Sequence, residues 1–132
     1  MDVTTEHREF MAEHRFGVLS TGRRDGSPQA SMVGYHFDGR DILVVFKRTS
    51  AKYHNIGRQP RVVLSVADGR RLLTIYGTGE LVESDPARAD AFQEILMSYG
   101  MPESPTADLI TMLDDEQRVI LRLHPTSIDL HE

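Results

Sequence analysis

The run Lys47-Arg48-Thr49-Ser50-Ala51-Lys52 places three cations and two hydroxyls within six positions. Residues 42–67 hold Lys47, Arg48, Lys52, Arg58 and Arg61 but no Asp or Glu, in a chain of formal net charge -5. The run leaves a predicted strand, Ile42–Lys47, and enters a short helix capped by Thr49 or Ser50 and ending at Arg58, before Pro60. A helix start offers free backbone N–H groups and partial positive charge, so a phosphate suits it. Thr49 and Ser50 supply hydroxyl donors, Arg48 a bidentate fork and Lys52 a point charge. The same pattern also fits a solvated basic turn before a capped helix, and the residue types leave both open.

Other chemistry is sparse. There is no cysteine, which removes disulfides, thiolate nucleophiles and Cys-ligated metal centres. The six histidines lack compact ligand spacing, so no metal site is expected. His7 and His14 are placed on one helix face. No nucleophile elbow or Walker loop is present. Tyr35, Phe37 and Tyr76 suit either a flat ligand or a core. Gly77 and Gly79 share a strand face and point to a bend, a bulge or a close approach.

The elements that must position these residues are mostly strands. Thr5–Arg15 reads as a helix and Phe16–Thr21 as a strand. Three Asp-Gly pairs, Asp25-Gly26, Asp38-Gly39 and Asp68-Gly69, mark turns between apolar runs. They delimit strands Pro28–Phe37, Ile42–Lys47, Arg61–Ala67 and Leu72–Val82. A helix capped by Ser84 or Asp85 runs to Tyr99 and stops at Gly100, and a shorter helical stretch covers Ala107–Leu113. Strands at Val119–Leu123 and Ser127–Leu130 close the chain. The prediction is one mainly β domain over residues 1–132, with six or seven antiparallel strands in a closed or split barrel and a few helices. Alternating βαβ units are absent, which speaks against a doubly wound fold.

The 132 residues are 39% hydrophobic and 27% charged, enough for one modest core. A large cofactor therefore favours a site shared between two copies. The acidic balance argues against nucleic-acid binding. No apolar stretch reaches the roughly 18 residues of a membrane span, and Met1–Glu6 lacks a signal-peptide core. The cytoplasm is the expected location, with no membrane partner.

An ordered set of segments resembles the flavin-binding split-barrel superfamily that includes pyridoxamine 5'-phosphate oxidase. The set is Phe16-Gly17-Val18-Leu19-Ser20-Thr21, Asp25-Gly26-Ser27-Pro28-Gln29, Val33-Gly34-Tyr35-His36-Phe37-Asp38, the Lys47–Ile56 run, Gln59-Pro60-Arg61-Val62 and Tyr76-Gly77-Thr78-Gly79-Glu80-Leu81. It is most similar to the short actinobacterial branch that uses the deazaflavin coenzyme F420. Pyridoxamine phosphate oxidases proper are longer, so that activity is not expected. The resemblance implies a homodimer with cofactor at the interface. It carries the phosphate role to Lys52, Arg48, Thr49 and Ser50. It places Gln29, Ser31, Met32 and Val33 beside the tricyclic ring, and Lys47 and Phe46 near the ribityl or phosphate portion.

The expected activity is hydride transfer from reduced F420 to a conjugated or quinone-like small molecule. An FMN enzyme of the same fold and a non-catalytic flavin- or haem-binding protein are the alternatives. Arg23, Arg24, Arg58 and Arg61 are candidates for the acidic tail of F420. Tyr35, His36 and Tyr76 are candidate proton donors beside solvent, so no catalytic residue is assigned.

Overall fold

The computed structural model describes residues Met1–Glu132. Helix α1 (Thr5–Glu13) opens with a capping box: His7 N donates to Thr4 Oγ1 at 3.1 Å and Thr4 N to His7 Nδ1 at 3.2 Å. Its Phe10 and Met11 are buried in the main core. The helix stops at Glu13, so His14 lies past its end in extended conformation, stacked on Phe10.

Strands β1 (Phe16–Gly22), β2 (Pro28–Gly34), β3 (His36–Phe37) and β4 (Ile42–Lys47) follow. Helix α2 (Ala51–Arg58) leads to β5 (Arg61–Asp68) and β6 (Arg71–Val82). Helices α3 (Ala87–Ser98) and α4 (Thr106–Asp115) precede β7 (Arg118–His131). All strand pairs are antiparallel, in one curled sheet of order β2-β1-β5-β6-β7-β4-β3. Hairpin signals left a closed or a split barrel open, and the structure is the split barrel that the family resemblance implies.

Period-2 burial shows why the sheet curls. Leu19, Val62, Leu64, Val66, Leu73, Ile75, Leu121 and Leu123 turn inward and fill the barrel together with Phe10 and Ile56. On the outer face of β4 and β7, Leu43 and Ile120 pack under Ala91, Phe92 and Ile95 of α3 and Leu109 and Leu113 of α4, making a second core. The longest helix, α3, has 12 residues, and none is long and apolar enough to cross a membrane.

Among the strands, two differ from the sequence expectation. The predicted strand Pro28–Phe37 breaks at Tyr35, which is 2% exposed. Tyr35 N donates to Arg15 O at 3.2 Å and its hydroxyl donates to His14 O. That anchorage bends the chain, so β2 pairs with β1 while β3 pairs with β4. The two predicted last strands are instead one. Beyond Leu123, β7 pairs only with β6, and an edge position tolerates the missing N–H of Pro125. A bulge at Tyr76/Gly77 absorbs the register shift.

The glycine pair of β6 is explained by the barrel's own packing. A Cβ on Gly77 would meet the His124 carbonyl oxygen, and one on Gly79 would lie 2.7 Å from Leu121 Cδ1.

Candidate functional site: the split between β2 and β4

The bend at Tyr35 creates the site. In the short β3–β4 ladder, Phe37 pairs with Ile42 and His36 with Leu43. Continued on that register, Val33 would oppose Phe46, Met32 Lys47, Ser31 Arg48 and Gln29 Ser50. None of those pairs forms, because β2 has turned to β1. The two strands stay close where they part and diverge beyond. The result is a split with β2 as one lip and the end of β4, with the turn into α2, as the other. The free edge of β2 presents unpaired backbone groups to it.

On the β2 lip, Ser31 and Val33 face inward with Leu19 and Gly17 as register partners. Ser31 Oγ is buried and has no hydrogen-bond partner. Such an orphan in a native fold calls for an explanation. Met32 faces outward and is 67% exposed. Gln29 is tied into a chain of polar groups: Thr21 Oγ1 donates to Gln29 Oε1 at 3.2 Å, and Asn55 Nδ2 donates to Thr21 Oγ1 at 3.1 Å. Arg58 Nη2 donates to Asn55 Oδ1 at 3.2 Å and to Gly22 O at 2.6 Å. These bonds fasten α2 to β1 and to the start of the β2 lip.

On the opposite lip Phe46 is buried, and the Lys52 ammonium sits 5.4 Å from its ring centroid. Lys52 is half-buried. Burial holds its pKa below the usual lysine value, and no carboxylate neutralises it. Ser50 occupies the cap position of α2, but its hydroxyl donates back to Lys47 O at 2.7 Å. The first N–H groups of α2 therefore have no side-chain cap.

Lys47, Arg48 and Thr49 are exposed. Arg48 Nε lies 3.5 Å from Glu83 Oε1, the oxygen that also accepts from Tyr53 Oη at 2.7 Å. Lys47 and Thr49 share a shallow depression with Asp115, Glu116 and Gln117. The acid-free stretch of the sequence is thus not acid-free in space: Glu83, Asp115 and Glu116 surround Arg48 and Thr49, and Lys52 alone of the basic run is half-buried. Sequence spacing carried no signal for those acids, which come from the end of β6 and from the α4–β7 turn.

The other named residues lie elsewhere. Tyr35 is a core residue whose burial pushes its phenol pKa far up. Tyr76 is 49% exposed on the outer face. There a groove of about 390 Å³ runs over β1, β5 and β6, with Arg61, Gly26 and Pro28 in its wall. His36 faces Glu94 of α3 at 3.6 Å. Sequence reasoning did not single out Tyr99, at the end of α3, whose hydroxyl lies 2.8 Å from where a Cβ on Gly34 would be.

Fold and split together define a split β-barrel. The family model for pyridoxamine 5'-phosphate oxidase matches residues 3–132, and the chain belongs to that family. The F420H2-dependent biliverdin reductase of Mycobacterium tuberculosis is 32% identical over 95 residues, covering 70% of this chain and 69% of the reductase. A solved F420 reductase is 30% identical with a TM-score of 0.67, covering 92% of this chain and 94% of that one. A conserved hypothetical protein of M. tuberculosis superposes with a TM-score of 0.81 at 26% identity, covering 100% of this chain and 86% of that one.

Proposed function

We propose that this protein is an F420-dependent reductase that delivers a hydride to a conjugated or quinone-like small molecule, with a deazaflavin lying in the split between β2 and β4. The observation that carries the reading is the pairing of two unmet demands across that split. Lys52 is a half-buried cation without a counter-ion beside an uncapped helix start, and Ser31 Oγ is a buried hydroxyl without a partner. A phosphate answers the first and a polar ring edge the second, so the residues present fit the cofactor class. The likeness to two F420-linked reductases favours F420 over FMN.

When bound, reduced F420 supplies a hydride from its central ring carbon. The protein's share is positioning. Lys52 and the α2 N–H groups hold the phosphate, with Arg48, Thr49 and Ser50 around it. Phe46 and Lys47 border the ribityl portion. The β2 edge, from Gln29 through Ser31 and Met32 to Val33, lies against the ring through backbone groups, with Ser31 Oγ as the one side-chain partner. Exposed Arg61 and the turn residues Arg23 and Arg24 sit beyond the start of β2, where the acidic tail leaves. Two copies of the chain share each site.

The test is a pair of titrations followed by fluorescence polarisation, one with F420 and one with FMN. Tight F420 binding with weak FMN binding is expected, and the reverse preference replaces F420 by FMN in this reading. Turnover is then measured with reduced F420 and biliverdin, menadione or cyclohex-2-en-1-one. Cofactor binding without reduction of any of them marks a carrier instead of a reductase.

A further inference from the structure

The acceptor must gain a proton as well as a hydride, and one side chain stands ready at the narrow end of the split. Helix α3 packs across the outer face of β4, passes β3 at the His36–Glu94 contact and ends at β1 and β2. Arg15 holds that end: Nη2 donates to Ser98 O at 2.8 Å and to Ser98 Oγ at 3.0 Å, and the guanidinium lies 4.4 Å from the Tyr99 ring centroid. The Tyr99 hydroxyl is thereby set against Gly34, where β2 parts from β4, at a spacing that leaves no room for a Cβ. Phe16 Cε1 lies 3.6 Å from the same point, and Met32 is the next outward residue of β2.

Among the four tyrosines, Tyr35 donates to His14 O and Tyr53 to Glu83. Tyr76 lies on β6, away from the split. Tyr99 is 45% exposed, and its hydroxyl is committed to no protein group.

We propose that Tyr99 is the proton donor to the acceptor, resting on the F420 reading above. For an enone, a new C–H bond forms at the β-carbon with the hydride from reduced F420, which is oxidised by two electrons. The C=C pair shifts to give an enolate. The Tyr99 O–H bond then breaks, its proton goes to the α-carbon, and the phenolate takes a proton from water.

The first readout needs no turnover. In protein carrying ¹³Cζ-tyrosine and loaded with oxidised F420, cyclohex-2-en-1-one should shift one tyrosine resonance, and that resonance should be missing from Tyr99→Phe. A shift at any other tyrosine, or none, overturns the assignment. With reduced F420, Tyr99→Phe should bind the cofactor as wild type does and lower kcat about 100-fold, the low end for a lost general acid. Gly34→Ala, which displaces the hydroxyl, should lower kcat in wild type and add little in the Tyr99→Phe background. Unchanged kcat in Tyr99→Phe with F420 bound removes Tyr99 alone. Wild-type protein that fails to bind F420 removes the cofactor reading and this one with it.

Discussion

Lys52 and Ser31 show how a residue's environment, more than its type, makes it a candidate for a site. Both are ordinary in sequence, one lysine in a basic run and one serine in a strand. In the fold, Lys52 is half-buried without a carboxylate, and Ser31 Oγ is buried without a partner. Lys52→Ala should weaken a phosphate-bearing cofactor by about 1–3 kcal/mol, the scale of a lost charge-assisted hydrogen bond. Arg48→Ala should cost less, because Glu83 already draws on that guanidinium. Equal losses from the two variants in a fluorescence titration would contradict the ranking. Ser31→Ala should leave the cofactor-free protein at least as stable as before, since no bond is lost and an unpaired buried hydroxyl is removed, while reducing cofactor affinity by about 1 kcal/mol. Urea unfolding with and without cofactor separates those effects.

At the scale of elements, what could be read from sequence was what local rules control. Asp-Gly turns and alternating apolar residues located β1, β4, β5 and β6, and Pro60 located the end of α2. Non-local anchorage was invisible. Tyr35 looks like one more aromatic in a strand until its buried hydroxyl meets the chain at His14, and that contact is what divides β2 from β3 and opens the split. The gap left between the predicted strands Val119–Leu123 and Ser127–Leu130 is strand in the fold, because beyond Leu123 β7 needs to pair only with β6. The basic run itself was visible in sequence because its cations lie within six positions, but the acids beside it were not, since they arrive from the end of β6 and the α4–β7 turn.

Helix α3 depends on Arg88, 3% exposed, which donates to Asp85, to Asp114 and to Arg118 O. It thereby ties the start of α3 to α4 and β7. Arg88→Ala should destabilise by about 3 kcal/mol, as expected when a buried charged network loses its centre. Loss of less than 1 kcal/mol in urea unfolding would show that the two helices are held by apolar packing alone.

Across the barrel, His124 joins β7 to β6 and to the residue preceding β4, through Glu80 at 2.9 Å and Asp41 at 3.1 Å. Asp41 is also 3.4 Å from Arg122 Nη1. Burial opposes the imidazolium, but the hydrogen bonds and charges of Glu80 and Asp41 outweigh it and raise its pKa above the ordinary histidine value. A raised folded-state pKa means stability that is full below the unfolded value, near 6.5, and lost as pH rises through the folded one. Wild-type protein should therefore lose stability on moving from slightly acidic to mildly alkaline buffer, and His124→Gln should flatten that part of the profile. An identical slope in both proteins would remove His124 from the linkage.

The whole molecule has one sheet surface with two fates. Over β4 and β7 the outer face is covered by α3 and α4. Over most of β1, β2, β5 and β6, beyond the end of α3 at Gly34, it is bare, and Phe16, Met32 and Tyr76 stand 64%, 67% and 49% exposed. They are linked by half-buried Val18, the register partner of Met32, and Val63, the partner of Tyr76. Scattered exposed apolar residues are ordinary, but a connected patch that runs from β2 across to β6 is the kind of surface that partners cover. A second copy of the chain is the occupant proposed for it, because a barrel this small leaves one side of a tricyclic ring to solvent. An interface of about 800 Å² per partner is the usual size for a specific pair. The double variant Met32→Asp, Tyr76→Asp should keep its far-ultraviolet circular dichroism, sediment as a monomer and lose at least tenfold in F420 affinity. A wild-type protein that already sediments as a monomer, yet binds F420 tightly, would show that one chain completes the site alone.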